Sequence, residues 1–146
     1  MLREHLAYSL YARGQTSFGQ ALPTSEQIGI ASFQELSTFD GGTLGGDSGY
    51  VLRGDLQSPW VVNWVRAPIS IMPYAFGAAG ALYLEQPTAL EPGTLNVASL
   101  GVGVQFGSIL RPDFSDASLA VEFGRAFRDD DEPDENRLTV VASYRF

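Results

Sequence analysis

The sequence contains no cysteine and no lysine, and His5 is its single histidine. Without cysteine there is no disulfide scaffold, thiol nucleophile or thiolate metal site, and one histidine cannot build a histidine-rich metal cluster. Nine arginines face seventeen Asp and Glu residues, and the resulting charge of −8 opposes a nucleic-acid partner. No uninterrupted apolar run reaches the ~20 residues of a membrane-spanning helix. The best stretch, residues 67–84, is uncharged but carries Pro68, Pro73, Gly77 and Gly80, and such breakers persist in a membrane helix only with help from neighbours. The N-terminus lacks the basic start, continuous apolar stretch and cleavage site of a secretory signal. For an exported protein the signal is therefore expected upstream, with Met1 internal to a longer chain.

What is present is glycine, aromatic residues and alternation. Sixteen glycines, 12 % aromatic residues and 45 % hydrophobic residues suit strands that alternate between lipid and water. Seven segments read as strands, at residues 5–17, 26–33, 47–58, 69–84, 95–107, 116–127 and 136–146. Tyr50, Leu52, Gly54 and Leu56 alternate with Val51, Arg53, Asp55 and Gln57, and Leu138, Val140, Ala142, Tyr144 and Phe146 alternate with Thr139, Val141, Ser143 and Arg145. Turns are predicted at 18–25 (with Leu22-Pro23-Thr24-Ser25), at Glu91-Pro92-Gly93 and at Arg111-Pro112-Asp113; a longer turn at 59–68 carries Trp60 and Trp64, suited to a membrane interface. Several segments exceed the ~5–6 residues common in soluble domains and reach the ~9–11 of membrane strands. The fold class expected for 1–146 is all-β, an antiparallel transmembrane β-barrel. About seven strands make it the C-terminal half of one, with unpaired first and last strands. A small self-contained outer-membrane barrel with a structural or adhesive role, and a soluble all-β binding domain, remain alternatives.

Two stretches carry a resemblance. Leu22-Pro23-Thr24-Ser25-Glu26-Gln27-Ile28, followed at a fitting distance by Gly46-Asp47-Ser48-Gly49-Tyr50, is similar to the secretion/activation barrels of two-partner secretion, which export haemolysins and large adhesins. Tyr74, Phe76, Ala78 and Gly80 fall on that family's strand-wall pattern "Pro-Tyr-aliphatic-Phe-x-Asp-x-Gly". Val97 to Gly103 and the closing Ser143-Tyr144-Arg145-Phe146 stand where the family's last strands would be. The resemblance implies a protein translocator whose partners are a secreted exoprotein, outer-membrane lipid and the barrel assembly machinery, located in the outer membrane of a Gram-negative cell. It implies no enzymatic activity, no cofactor and no metal.

It also implies a long loop, at 34–46, folded into the barrel lumen as a plug or gate. The family's loop tip reads Val-Arg-Gly-Tyr; here Leu36, Ser37, Thr38 and Phe39 align, so the arginine is absent. Its wall partner, the aspartate of the Phe-x-Asp pattern, is replaced by Ala78. Loss of both charges leaves neither one stranded, and marks either a subfamily that seats its loop differently or a degenerate copy. Ser37 and Ala78 are expected to lie close together. Tyr144 and Phe146 resemble the C-terminal assembly signal of outer-membrane proteins. Asp47, Asp55 and Glu122 are candidate lumen carboxylates without a histidine or cysteine to make a catalytic pair. The acidic run within 128–135 lacks an EF-hand pattern and reads as a solvated loop.

Overall fold

A computed structural model describes residues 6–41, 44–64, 67–87, 93–111, 115–130 and 133–145. It contains β1 (Ala7–Gln15), β2 (Ile28–Gly29), β3 (Gly45–Gly46), β4 (Ser48–Gln57), β5 (Trp60–Trp64), β6 (Ala67–Tyr83), β7 (Thr94–Arg111), β8 (Ser115–Arg128) and β9 (Glu135–Arg145). No helix occurs among the described residues. The main sheet is antiparallel in the order β1-β4-β6-β7-β8-β9, with β5 also against β6. Among the described residues β1 pairs only with β4 and β9 only with β8, so the two are open edges. A self-contained small barrel would need those edges joined.

Two expectations are corrected. Residues 59–68 are not a long turn, because Trp60 to Trp64 pair with Ile71 to Ala67 in the offset that already joins Gln57 to Tyr74. β4 and β5 are therefore one strand line, interrupted at Ser58 and Pro59. Pro59 has no N–H to give the ladder, while Ser58 N donates to Pro73 O at 3.0 Å. Residues 26–33 are not a strand of the main sheet. Only Ile28 and Gly29 pair, with Gly46 and Gly45, and the segment belongs to one connection running from residue 16 to 47. Its alternation is real, since Ile28 and Ile30 are both buried, but they are buried against a sheet face rather than in a ladder. The segment 18–25 lies within this connection and is not a turn at the opposite end. The connections after β1, β6 and β8 consequently share one end of the sheet, and the chain terminus after β9 lies at the other.

The polarity of the sheet is inverted relative to a soluble protein. Leu100, Val102, Leu138 and Val140 are 58–63 % exposed, whereas Arg53 and Glu122 on the opposite face are 4 % and 2 % exposed. Against that second face the long connection buries Ile28, Ile30, Leu36, Phe39 and Leu44, packed with Val51, Ala78, Leu82, Val97 and Ala126. Water-soluble sheets bury their apolar side; here the loop-covered side holds the charges.

Candidate functional site

The face beneath the loop is shaped by β7, whose inward positions include Gly101 and Gly103. These leave a gutter into which the rings of Phe76 and Tyr74 lie down from β6. A Cβ on Gly101 would stand 2.5 Å from Phe76 Cε1, and one on Gly124 would stand 2.7 Å from Thr38 Cγ2. Arg53, on β4, places its guanidinium 4.2 Å from the Phe76 ring centroid and continues to Glu122 on β8, at 2.9 Å. Three strand spacings separate those strands, ~14 Å at ~4.8 Å each. Side chains of this reach meet across that gap only where the sheet is concave, so the loop sits in the hollow.

Every donor edge of Arg53 is used. Nε donates to Asp55 at 2.9 Å, Nη1 to Phe33 O at 3.0 Å, Glu35 O at 3.3 Å and Ser37 Oγ at 3.1 Å, and Nη2 to Glu122 at 2.9 Å. Ser37 Oγ in turn donates to Glu122 Oε1, and Tyr74 OH donates to Glu122 Oε2 at 2.8 Å. A buried ion pair withstands its desolvation only when its remaining donors and acceptors are satisfied. That condition is met here by the loop's own carbonyls and hydroxyl, so seating the loop and solvating the ion pair are one event.

Further contacts run to both edges. Arg13 on β1 binds Glu35 through Nε at 2.7 Å, Tyr11 OH adds a bond at 3.4 Å, and Ser32 Oγ donates to the same carboxylate at 2.9 Å. On β9, Thr139 Oγ1 donates to Ser37 O at 3.2 Å and Arg137 pairs with Asp40. The loop tip thus touches β1, β4, β8 and β9.

At the rim, Asp47 joins three segments. Its carboxylate accepts from Leu22 N at 2.8 Å, Gln27 Nε2 at 3.2 Å and Glu85 N at 2.8 Å, and its own N–H donates to Tyr83 O at 2.9 Å. The Glu85 N–H, then that of Leu22, holds the Asp47 carboxyl below its ordinary value, against the opposing effect of burial. The motif glycines let the loop approach: a Cβ on Gly49 would lie 2.7 Å from Ala81 O, and one on Gly80 would lie 2.7 Å from Tyr50 O and 3.0 Å from Ile30 Cδ1. Gly46 pairs with Ile28.

The sequence motifs are therefore divided. Leu36, Ser37, Thr38, Phe39, Phe76, Ala78 and Gly80 gather beneath or within the loop, and Tyr74 reaches it through Glu122. Ser37 bonds not to a residue at position 78 but to Arg53, the register partner of Ala78. The arginine absent from the loop tip has a counterpart on the wall. Beside Ala78, its register partner Ser99 has a buried hydroxyl without a hydrogen bond among the described groups, as does Thr38. Tyr50 and Tyr144 stand on the outer face, 52 % and 61 % exposed, and Phe146 lies outside the described residues. Sequence reasoning missed Arg53, Glu35, Arg13 and Arg137 as loop contacts. For the three arginines the available signal was inward parity on long strands, as for Asp55 and Glu122; Glu35 lies in the loop, where no such parity marks it. In the acidic segment, Asp129 accepts from Asn96 N at 2.9 Å and Asp130 pairs with Arg128 at 2.5 Å, so these two are engaged rather than merely solvated.

A family model described as haemolysin secretion/activation protein ShlB/FhaC/HecB matches residues 1–138. The chain belongs to this family. It is the family of two-partner secretion transporters, outer-membrane β-barrels that act with a secreted exoprotein, and the all-β antiparallel sheet agrees with it. The match includes the loop, the Gly46-Asp47 rim and the Tyr74 to Gly80 wall, so the Arg53–Glu122 arrangement lies within the family region of the chain. No curated protein and no solved structure matches the chain.

Proposed function

We propose that residues 1–146 are the C-terminal wall and the plug of an outer-membrane translocator that exports a large exoprotein of the haemolysin or adhesin type through its lumen. The single observation that carries this reading is a buried polar latch, Arg53–Glu122–Ser37, fixing a long loop to the inner face of a sheet whose outer face is apolar. The outer face suits lipid. Along β4 and β5, outward Tyr50 and Trp60 stand ten residues apart, ~33 Å of strand, which at a barrel tilt of ~40° matches an apolar band of ~25 Å. Aromatic rings favour both boundaries of that band. The latch also supports a subfamily with its own way of seating the loop over a degenerate copy, because its members satisfy one another. The chain's role is mechanical: the wall gives a polar path, the loop closes it, and neither cofactor nor enzymatic step is required. Tyr144 and Phe146 are proposed to present the terminal strand to the assembly machinery, an exposed edge open to strand addition.

A reversible lock tests the gate. Thr38→Cys with Gly124→Cys in the full-length parent brings two thiols within disulfide reach, and residues 1–146 hold no other cysteine. Secretion of the cognate exoprotein into the medium is expected to stop under oxidising conditions and resume with reductant. Undiminished secretion with the disulfide formed would overturn the gating role.

A further inference from the structure

Strand register assigns an inward or an outward side to each position of the main sheet. Among the described residues the outward positions of β1, β4, β6, β7, β8 and β9 hold a single charge, Arg125. An ionisable side chain on a lipid face is costly near the bilayer centre and tolerated at its boundary, so its head has to reach that boundary. It does. Arg125 stands three residues before Arg128, where β8 ends. Its guanidinium extends on towards that end, to 5.4 Å from the Phe127 ring centroid and 3.1 Å from the Asp134 carboxylate. Only Nη2 is used there; among the described residues Nε and Nη1 donate to nothing. Asn136 stands directly across the β8–β9 ladder from Arg125, Cβ to Cβ ~5 Å, and its side-chain amide makes no hydrogen bond among the described residues. One outward position further from the strand end, Phe123 and Leu138 face each other across the same ladder, both exposed.

We propose that Arg125 and Asn136 seat the phosphate of a membrane lipid, whose acyl chains lie along Phe123 and Leu138. A guanidinium matches phosphate as a planar fork with two parallel N–H bonds, and the unspent N–H groups of Arg125 supply that fork. Asn136 adds a further donor. The Phe127 ring holds the cation by its π face, at the level where a headgroup sits rather than among the apolar rows. Apolar surface continues from the pair in one direction, away from the strand end, so the ligand that fits has one anionic end and a long apolar one. A free phosphate ion leaves that second surface unused. Asp134 competes with the lipid. Its carboxylate repels a phosphate and occupies one edge of the same guanidinium, so it serves as the counter-ion when no headgroup is bound. The inference rests on the lipid-facing reading of the outer face and draws nothing from the loop or the latch.

The full-length parent in a neutral detergent is titrated with dipalmitoyl phosphatidic acid, and retained lipid is read by native mass spectrometry. Dipalmitoylglycerol, the same lipid without its phosphate, is run beside it, and inorganic phosphate in large excess is added as competitor. Phosphatidic acid is expected to bind about tenfold tighter than dipalmitoylglycerol, equivalent to ~1.4 kcal/mol, and to stay bound in the presence of inorganic phosphate. Arg125→Gln is expected to remove that preference, and Asn136→Leu to reduce it about twofold to threefold. Asp134→Asn is expected to act the other way and raise retention about threefold, because it removes the competing carboxylate. That variant leaves the arginine in place, so it decides the matter even where Arg125→Gln does not fold. Equal retention of the two lipids, displacement by inorganic phosphate, or a fall in retention with Asp134→Asn would each overturn the site. Failure of the site and failure of the translocator are told apart by the secretion assay on the unaltered parent. A parent that secretes but shows no preference for the phosphorylated lipid loses the site alone. One that prefers that lipid as described but does not secrete keeps the site and loses the translocator.

Discussion

Outward along β7 stand Ala98, Leu100, Val102, Val104 and Phe106; inward along the same strand stand Val97, Ser99, Gly101, Gly103 and Gln105. The two faces solve different problems. Outside, bulky apolar side chains stay exposed; in the proposed lipid setting they would meet a solvent as apolar as themselves and need no packing partner. Inside, glycine and small residues make room for a loop that brings its own core and satisfies a buried ion pair. The boundary residue Arg125 fits this division. It is outward-facing, but its guanidinium is drawn to Asp134 of the β8–β9 connection at 3.1 Å, beyond the strand. What sets the sheet's architecture is therefore the inner face, while the outer face sets its environment.

The comparison breaks hardest at the latch. Glu122→Ala is expected to cost about 3–5 kcal/mol, the usual penalty for stranding one member of a buried pair. Limited proteolysis is expected to cut the loop between residues 30 and 40 faster than in the unaltered chain. The double change Arg53→Met with Glu122→Leu removes both charges and is expected to recover much of the urea stability. A loop equally protected in Glu122→Ala would mean that the apolar cluster alone seats it.

The faces are next separated by adding charge. Leu100→Arg on the outer face is expected to cost about 2–4 kcal/mol of membrane folding stability near the bilayer centre. Gln105→Arg, inward on the same strand, is expected to stay within about 0.5 kcal/mol. Folding into lipid vesicles under a urea series compares them directly, and equal penalties would contradict the lipid assignment of the outer face. A finer contrast uses two glycines on neighbouring strands. Gly101→Ala pushes a Cβ to 2.5 Å from both Phe76 Cε1 and Phe123 O, whereas at Gly77 the nearest atom is Leu100 Cδ2, a side-chain tip at 3.1 Å. Overpacking typically costs ~1–3 kcal/mol, expected in full at Gly101 and at only a fraction of that at Gly77, again by urea unfolding.

Period-two alternation made the long strands legible, because each inward or outward position is determined once one is known. It separated Leu52 from Arg53, and Glu122, expected among the lumen carboxylates, lies on the inner face. It failed at Ile28 and Ile30, where two buried residues at alternate positions belong to a folded-in loop, since alternation reports a half-buried extended segment and not which surface buries it. The long turn expected at 59–68 gives way to β5 because a strand line survives the one missing donor at Pro59 where the adjacent Ser58 keeps the ladder. The rim motif was legible in its residue types, and its reason was not. Gly49 and Asp47 act through Ala81, Glu85 and Leu22, partners that local sequence does not connect. The latch was least legible, for its charges come from β4 and β8 and its hydroxyl from the loop, and they meet only when the sheet curves.

The gentlest contrast is at the rim, where pH distinguishes a stapled carboxylate from the free surface. Asp47 accepts three hydrogen bonds that favour its ionised form, and its folded pKa lies below the ordinary value. A depressed folded value means that the contribution is complete above the unfolded pKa, about 4 for aspartate, and is lost as pH falls through the lower folded value. Between pH 7 and 5 the rim is therefore expected to be insensitive to pH, and below about pH 4 it is expected to loosen. The amides to watch are Leu22 and Glu85, which donate to the carboxylate itself. Their hydrogen-exchange protection factors, corrected for intrinsic rates, are expected to fall as Asp47 takes up a proton, while amides in the middle of β7 hold. Asp47→Asn moves this loosening to neutral pH, because the amide group turns donors towards one of the N–H groups it replaced an acceptor for. Protection at Leu22 and Glu85 that is the same in Asp47→Asn as in the unaltered chain at pH 7 would reduce the staple to an incidental contact, leaving the rim held by the glycine approaches of Gly49 and Gly80.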